Sequence, residues 1–245
     1  MKDYQGFKNN GNWYKGHLHS HTTVSDGTRT PEQSVEVYKE HGYNFLALSE
    51  HDIYTDYRKQ YNTDNFIMIP AIEASAILYQ EEGSSKRLEI HHLHGILGTS
   101  EMQKNAKAPL FTHMEHVPPQ KHYGTWRGRE ISQEIADMLR DRGCVVTYNH
   151  PIWSRVTEEE FIYTEGVQAL EIFNYNTVLE SNTGYDVTYW DRMLRMGKKI
   201  NGFASDDNHN EGLFEDSCGG WICVQAPELT HDAIIQNFLD GNYYS

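Results

Sequence analysis

Histidine and carboxylate side chains recur directly after the short apolar runs of this 245-residue sequence, which contains 14 His and 35 Asp+Glu. His19 and His21 follow the first weak apolar segment, and Glu73 follows a run that ends at Ile72. Imidazole nitrogens and carboxylate oxygens together are the ligands of hydrolytic metal sites. The same residue types close three further apolar runs, at His51 and Asp52, at His150, and at Asp207 and His209. The pattern predicts a metal centre gathered from distant parts of the chain.

The pair His19 and His21 has the spacing that a strand needs to place two ligands on one ion. Alternate side chains of an extended strand point to the same face. An isolated pair with this spacing is more typical of surface histidines. The matching clusters elsewhere in the chain favour metal binding here.

The elements that must position these residues alternate between apolar strands and helices with start and stop signals. Strands are predicted at 44–48, 66–72, 87–97, 144–148, 169–173, 199–204 and 221–224, after a weak opening strand at 13–18; helices are predicted at 31–41, 130–142, 185–196 and 230–241, with a further helix that opens at 157–160. The turn at 83–85 makes 87–97 a candidate for the second arm of a hairpin. Such alternation is typical of an α/β protein with a largely parallel sheet, and about seven units in this length predict a closed or nearly closed barrel. A doubly wound open sheet is the alternative. In a barrel, residues that follow the strands open onto one face.

Six blocks of the sequence resemble, in order, the successive metal-binding motifs of the PHP family, the polymerase and histidinol phosphatase domains. The blocks are His19-Ser20-His21-Thr22 with Ser25-Asp26-Gly27, Ser49-Glu50-His51-Asp52, Glu73, His92, Asn149-His150-Pro151, and Asp207-Asn208-His209. The resemblance implies a distorted (β/α)7 TIM-like barrel with the metal site at the C-terminal ends of its strands. It also implies a single domain over residues 1–245 and two or three divalent ions, for which Mn, Fe and Zn are the candidates.

The resemblance further implies nine metal ligands in three groups. The first ion would be held by His19, His21, Glu73 and Asp207, the second by Glu73, His92 and His150, and the third by Asp26, His51 and His209. His94 shares a strand face with His92 and is the alternative ligand, whereas His91 is expected to point the other way.

Two positions depart from the family pattern. Glu50 stands beside the ligand His51 where the family usually has Asp, and a longer carboxylate there is expected to shift the surrounding geometry. His17 stands where the family often has Asp. It is either a partner of the metal ligands or an ordinary strand residue.

Candidates for proton transfer and substrate binding are less specific. Asp206 and His17 are candidates for moving a proton to the leaving group, and Arg155 for binding an anionic substrate group. Arg155 is equally compatible with a surface position. The segment 100–129 carries five basic residues against two acidic ones, so it is either a basic lid over the site or a solvated loop.

These residues predict a metal-dependent hydrolase, foremost a phosphoesterase that cleaves a small phosphomonoester by a metal-bridging hydroxide. The alternatives are hydrolysis of an amide or cyclic ester on the same metal site, and exonuclease or nucleotide phosphatase activity. A degenerate barrel that only binds a partner is the non-enzymatic alternative, and an intact ligand set argues against it.

The overall composition narrows the partners. A net charge of −14 makes long nucleic acid a poor substrate, because binding phosphate backbones requires surplus Lys and Arg. No apolar stretch is long enough to cross a membrane, and no signal-peptide pattern is present, so a cytoplasmic location is expected. The three cysteines are too few for a disulfide framework.

Overall fold

The computed structural model describes Phe7, residues 11–210 and residues 215–245. Its strands are β1 Asn12–His17, β2 Phe45–Leu48, β3 Ile53–Tyr54, β4 Ile67–Tyr79, β5 Arg87–Leu97, β6 Glu115–His116, β7 Gln120–Tyr123, β8 Cys144–Tyr148, β9 Val167–Asn174, β10 Asn201–Ser205, β11 Ile222–Ala226 and β12 Tyr243–Tyr244. Its helices are α1 Pro31–Glu40, α2 Arg58–Tyr61, α3 Ser100–Lys104, α4 Gly128–Asp141, α5 Pro151–Ser154, α6 Glu158–Phe161, α7 Tyr175–Ser181, α8 Val187–Arg195 and α9 His231–Leu239. The alternation confirms the predicted α/β class.

The main sheet runs in the order β10-β9-β8-β5-β4-β2-β1-β11-β12, with β7 also paired to β4. It curls into a nearly closed barrel. The ends approach each other through a bridge between Ser20 and Asn208, and the Tyr243 hydroxyl donates to the Gly202 carbonyl oxygen at 2.8 Å. The expected TIM-like barrel is therefore confirmed.

The sheet is mixed where the sequence predicted a largely parallel one. β4 and β5 form an antiparallel hairpin, β5 is antiparallel to β8, and β1 is antiparallel to β11. The pairs β1 with β2, β2 with β4, β8 with β9 and β9 with β10 are parallel. The β4/β5 turn contains Gly83 at φ +82°, a conformation that glycine adopts without steric cost.

β4 extends well past the predicted strand end at 72. Its first part pairs with β2 up to Pro70, and its second part pairs with β5 from Ala71 onward. The proline therefore lies where the strand exchanges one partner for another.

The side chains that point into the barrel are apolar at one end and polar at the other. In β4, Ile67, Ile69 and Ala71 pack in the interior cluster with Ile234 and Phe238 of α9. Glu73 continues the same face because side chains alternate with a period of two. The sequence of one strand thus supplies both packing and a ligand.

Helices α1 and α4 pack on the outside of the barrel. α1 begins with a capping box between Thr30 and Gln33 and packs Val35 and Tyr38 against β2 and β4. α4 packs Ile131, Ile135 and Leu139 against β4, β5 and β8. No helix in the described ranges has the length and apolar character needed to cross a membrane.

Candidate metal centre

A cavity of about 590 Å³ lies at the polar end of the barrel. Its wall includes residues that follow β2, β8 and β10, together with residues of β4 and β5. The lining residues are Asp26, His51, Asp52, Ser75, Ile77, Arg87, His92, His150, Trp153, Asn176, Leu179, Glu180, Asp207, His209 and Asp216. Six of the nine predicted ligands are among them, and the other three lie directly behind.

The first predicted ligand group is assembled in the buried part of the site. The His19 Nε2 atom lies 3.1 Å from Glu73 Oε1 and 3.0 Å from Asp207 Oδ1. His21 Nε2 lies 3.0 Å from the same Asp207 oxygen. The ligand atoms of these four residues are all within 4.8 Å of one another, which is the proximity that one shared ion requires.

The third predicted group, Asp26, His51 and His209, also comes together, with His21 as a fourth member. Asp26 oxygens lie 3.3 Å from His209 Nε2 and 3.5 Å from His51 Nε2. Burial works to lower the pKa of His209, but the hydrogen bond with Asp26 and the charge of Asp207 outweigh it and raise the pKa to about 10. A metal ion would have to displace that proton.

The second predicted group is distributed differently. His92 clusters with His51 and Glu73, whereas His150 clusters with His19 and Glu171. His92 and His150 both still face Glu73, at 3.5 Å and 3.4 Å. Glu73 therefore lies within 3.5 Å of a histidine from each of the three predicted ligand groups.

His92 fits the ligand role better than its alternative. His94 Nε2 lies 4.0 Å from Glu73, and His94 belongs to none of the clusters found among the described residues. Its Nδ1 lies 3.2 Å from the Thr147 hydroxyl. His91 faces away as predicted, bonding the Tyr148 hydroxyl and stacking on Trp126.

The crowding of buried ligand-type atoms shows that these residues fit a metal. Glu73 Oε2 lies 2.9 Å from His51 Nδ1 and 3.5 Å from His92 Nδ1, yet neither contact is a hydrogen bond of normal geometry, and Asp207 Oδ1 likewise makes none. Buried polar atoms that are poorly satisfied cost free energy. Burial, with the neighbouring His51 and His209, lowers the pKa of His21 to about 3, so this imidazole is neutral and keeps a lone pair for an ion.

Two predicted ligand residues have strained backbones. His150 has φ +26° and Asp207 has φ +53°, values that side-chain-bearing residues seldom adopt. Such conformations cost about 1–3 kcal/mol and cluster at functional sites. Pro151 begins α5 directly after His150, and Trp153 of this helix lines the cavity.

Glu171 is a central residue that sequence reasoning did not select. It is fully buried, and its Oε1 accepts a hydrogen bond from His19 Nδ1 at 2.7 Å. Its Oε2 accepts from the His150 N–H at 3.1 Å and the Asn174 amide at 2.9 Å. Because the carboxylate fixes the His19 proton on Nδ1, it leaves Nε2 free to bind metal. The available signal was one acid in the otherwise apolar segment 169–173.

Amide side chains hold the other carboxylates in place. Asn149 donates to Glu73 Oε1 at 2.6 Å, and Asn174 donates to Asp207 Oδ2 at 3.0 Å. Glu50 accepts from the backbone N–H groups of Thr22 and Ser25 at 3.0 and 3.2 Å. Its extra length thus secures the turn that leads to Asp26.

The predicted proton-transfer residues lie away from the cavity. The Asp206 carboxylate accepts from the Tyr38 hydroxyl at 2.7 Å and from three backbone N–H groups of residues 218–220. His17 stacks on Tyr38 and accepts from the Asp206 N–H at 2.6 Å. Both side chains are buried among the loops that flank β10, and their role in proton transfer stays a prediction.

Arg155 and the segment 100–129 are also absent from the cavity wall. Arg155 is exposed at the end of α5. The segment 100–129 contains α3, β6 and β7, and β7 extends the sheet beside β4. The basic side chain that does line the cavity is Arg87, at the start of β5.

Solved structures share this architecture. The chain has the fold of PHP-like metal-dependent phosphoesterases. A two-domain protein from Bacteroides vulgatus that contains a predicted PHP-like metal-dependent phosphoesterase matches at 16% identity and TM-score 0.57, covering 100% of this chain and 67% of that one. A Bifidobacterium adolescentis protein described as a metal-dependent phosphoesterase by prediction matches at 14% identity and TM-score 0.50, covering 96% and 97%.

An amidohydrolase from Chromobacterium violaceum, solved with bound sulfate and no metal, also matches, at 14% identity and TM-score 0.52, covering 94% of this chain and 97% of that one. No family model matches the sequence, and no curated protein is significantly similar to it. At these identities the comparisons show a shared fold, and they confirm the PHP resemblance for the fold only.

Proposed function

We propose that the chain is a metal-dependent phosphoesterase of the PHP family that hydrolyses small phosphomonoesters. One observation carries the proposal: nine ligand-type residues, spread from 19 to 209, converge around one cavity with their nitrogen and oxygen atoms facing each other. Chance surface histidines and carboxylates would not converge in this way. The proposed function therefore rests on the metal centre.

Divalent ions, when bound there, would activate water and neutralise the oxygens of a phosphoryl group. The protein's part is to hold its ligands in fixed orientations. Glu171 keeps the His19 proton on Nδ1, and the Asn149 amide anchors Glu73. Because these partners are buried, the ligand atoms need little rearrangement when an ion or substrate arrives.

The charge around the cavity supports a small anionic substrate. Arg87 lines the cavity and can attract a phosphate dianion. The surrounding chain has a net charge of −14, which disfavours long polyanions. A small phosphorylated molecule meets both conditions.

The test is phosphate release from a panel of phosphomonoesters after reconstitution with Mn²⁺, Fe²⁺ or Zn²⁺. We expect turnover with at least one metal and a loss of more than about 100-fold in His19→Ala, because this residue faces both Glu73 and Asp207. His116→Ala, at an exposed position outside the cavity wall, is the matched control. A metal-loaded protein that releases no phosphate from the whole panel would refute the proposal.

A second candidate is hydrolysis at carbon, of an amide or cyclic ester. The shared fold with the Chromobacterium violaceum amidohydrolase favours it. Inorganic phosphate distinguishes the two candidate functions. It should inhibit a phosphoesterase competitively, whereas the rate of amide hydrolysis should not change when phosphate is added. For the nucleotide phosphatase or exonuclease alternative, the distinguishing result is binding that weakens steeply with salt.

A further inference from the structure

An apolar wall stands beside the ligand residues in the cavity. It consists of Ile77 from β4, Trp153 from α5 and Leu179 from α7, each partly exposed. We call these three residues the apolar wall. Neither metal binding nor phosphate binding requires them, so they are available to contact another part of the substrate.

Trp153 is held in a defined position within this wall. Its indole N–H donates to Glu180 Oε2 at 2.7 Å. Its ring centroid lies 5.1 Å from that of His150, nearly perpendicular, and 6.0 Å from that of His92. A group attached to a phosphoryl oxygen at the metal centre would therefore lie next to the indole.

The size of the cavity implies a substrate larger than phosphate. Cavities of about 300–1,000 Å³ take ligands of drug-like size, and this one measures about 590 Å³. The phosphoryl group occupies only the part next to the ligand residues. The remaining space is bounded by the apolar wall.

The acidic side chains outside the ligand groups are already engaged. Asp52 accepts from the Ser75 N–H at 2.8 Å, and Asp216 accepts from the His209 N–H at 2.8 Å. Glu180 holds Trp153. Arg87 pairs with Tyr79 at the outer end of the β4/β5 hairpin, beyond Ile77 and away from His92, and the described lining between Ile77 and the ligand residues contains no other Lys or Arg. The space beside the apolar wall thus favours an uncharged group.

We infer that the preferred substrates are phosphomonoesters whose alcohol carries a planar, uncharged, apolar ring that packs on Trp153. The inference rests on the proposed phosphoesterase function and specifies its substrate class. Offset or edge-on contact with an indole favours a ring over an alkyl chain of similar size.

The first experiment compares kcat/KM for benzyl phosphate and cyclohexylmethyl phosphate, whose alcohols have the same number of carbon atoms, with the metal-reconstituted enzyme. Their alcohols have similar acidity, so the ratio reports recognition of the planar ring and not the ease of P–O cleavage. We expect benzyl phosphate to be preferred by about tenfold. Trp153→Ala should abolish most of this preference, Trp153→Phe should keep most of it, and Trp13→Ala, an exposed tryptophan outside the cavity wall, should leave the ratio unchanged.

Leu179→Ala provides a second variant, because Leu179 lines the cavity and is not a predicted metal ligand. It should lower kcat/KM for benzyl phosphate by about threefold, because less apolar surface is buried against the substrate. A wild-type ratio near one, or a ratio that Trp153→Ala leaves intact, would overturn the inference.

Calorimetric binding of benzylphosphonate and cyclohexylmethylphosphonate, which are not hydrolysed, gives a readout independent of turnover. Ester hydrolysis without a ring preference, together with equal binding of both phosphonates, would refute the substrate class and leave the phosphoesterase function standing. Tighter binding of benzylphosphonate that depends on Trp153, without hydrolysis of any ester, would support ring recognition and refute the phosphoesterase.

Discussion

At the scale of single residues, the hydrogen bonds of Glu171 explain how the metal ligands are held. Its two oxygens accept from His19, Ser205, the His150 N–H and Asn174. An ionised carboxylate has about four acceptor positions, so all are used. Glu171 is thus occupied in orienting other groups.

Glu171→Gln replaces one acceptor oxygen with an NH₂ group that would face donors. We expect metal affinity to fall by about 10–100-fold, because His19 loses the partner that fixes its proton and ring orientation. Isothermal titration with Mn²⁺ and Zn²⁺ measures this change. Glu165→Gln, an exposed glutamate just before β9, is the control; equal affinities in all three proteins would contradict the role of Glu171.

Asp186 predicts a pH dependence of stability. Burial raises its pKa to about 7, despite a hydrogen bond from the Ile152 N–H. The ordinary value is about 3.9, so between these values the folded protein binds a proton that the unfolded chain has released. The free energy of unfolding should therefore fall as the pH rises from about 4 to about 7.

Asp186→Asn cannot ionise and keeps an acceptor for the Ile152 N–H. We expect it to be about as stable as the wild type near pH 4 and about 2–4 kcal/mol more stable at pH 8. Urea unfolding with a chelator present measures the stability at each pH, and Asp64→Asn, at an exposed position, is the control. If the difference in the free energy of unfolding between the wild type and Asp186→Asn does not change with pH, Asp186 does not titrate in this range.

The sequence predicts the candidate ligands but not the residues that orient them. His19, His21 and Asp207 lie in blocks with recognisable composition and spacing. Glu171 lies alone in a strand, and only the strand's register and the direction of its side chain place it under His19. Asp206 was selected for its position beside a ligand, yet adjacent residues near a strand point to opposite sides.

At the scale of elements, the turn after β1 depends on Glu50. This buried carboxylate binds the backbone and hydroxyl groups of Thr22 and Ser25, including the Ser25 hydroxyl at 2.5 Å. The turn leads directly to Asp26, which faces His51 and His209. One carboxylate thus links β2 to a predicted ligand loop.

Glu50→Asp shortens this link by one methylene group. We expect the free energy of unfolding to fall by about 1–3 kcal/mol, because buried donors of the turn lose their acceptor. Metal binding at the Asp26 group should weaken as well. Urea unfolding and metal titration measure the two effects, with the exposed Glu82→Asp as control. Unchanged stability and unchanged metal binding would contradict this function of Glu50.

Local signals predicted individual elements better than their pairing. α1 begins at Pro31, as its capping residue and proline indicate. The turn at Gly83 identifies β5 as the second arm of a hairpin with β4, but the pairing of β5 with β8 joins segments far apart in the chain, which hydrophobic periodicity does not encode. The same holds for β7, a short polar strand that pairs with the far end of β4.

At the scale of the whole molecule, the acidity of the chain belongs partly to its metal ligands. Three divalent ions would add six positive charges to the net −14, leaving about −8. The metal centre would then be a cationic site within an acidic surface. Such a distribution admits small anions and repels long ones.

The central claim is that this barrel holds a divalent metal centre built on Glu73 and Asp207. Elemental analysis of the folded, reconstituted protein after removal of free metal tests it most directly. The wild type should retain about two to three divalent ions per chain, and Glu73→Gln with Asp207→Asn should retain fewer, while the Glu82→Gln control matches the wild type. A folded wild-type protein that retains no metal, or retains as much as the double variant, would contradict the claim.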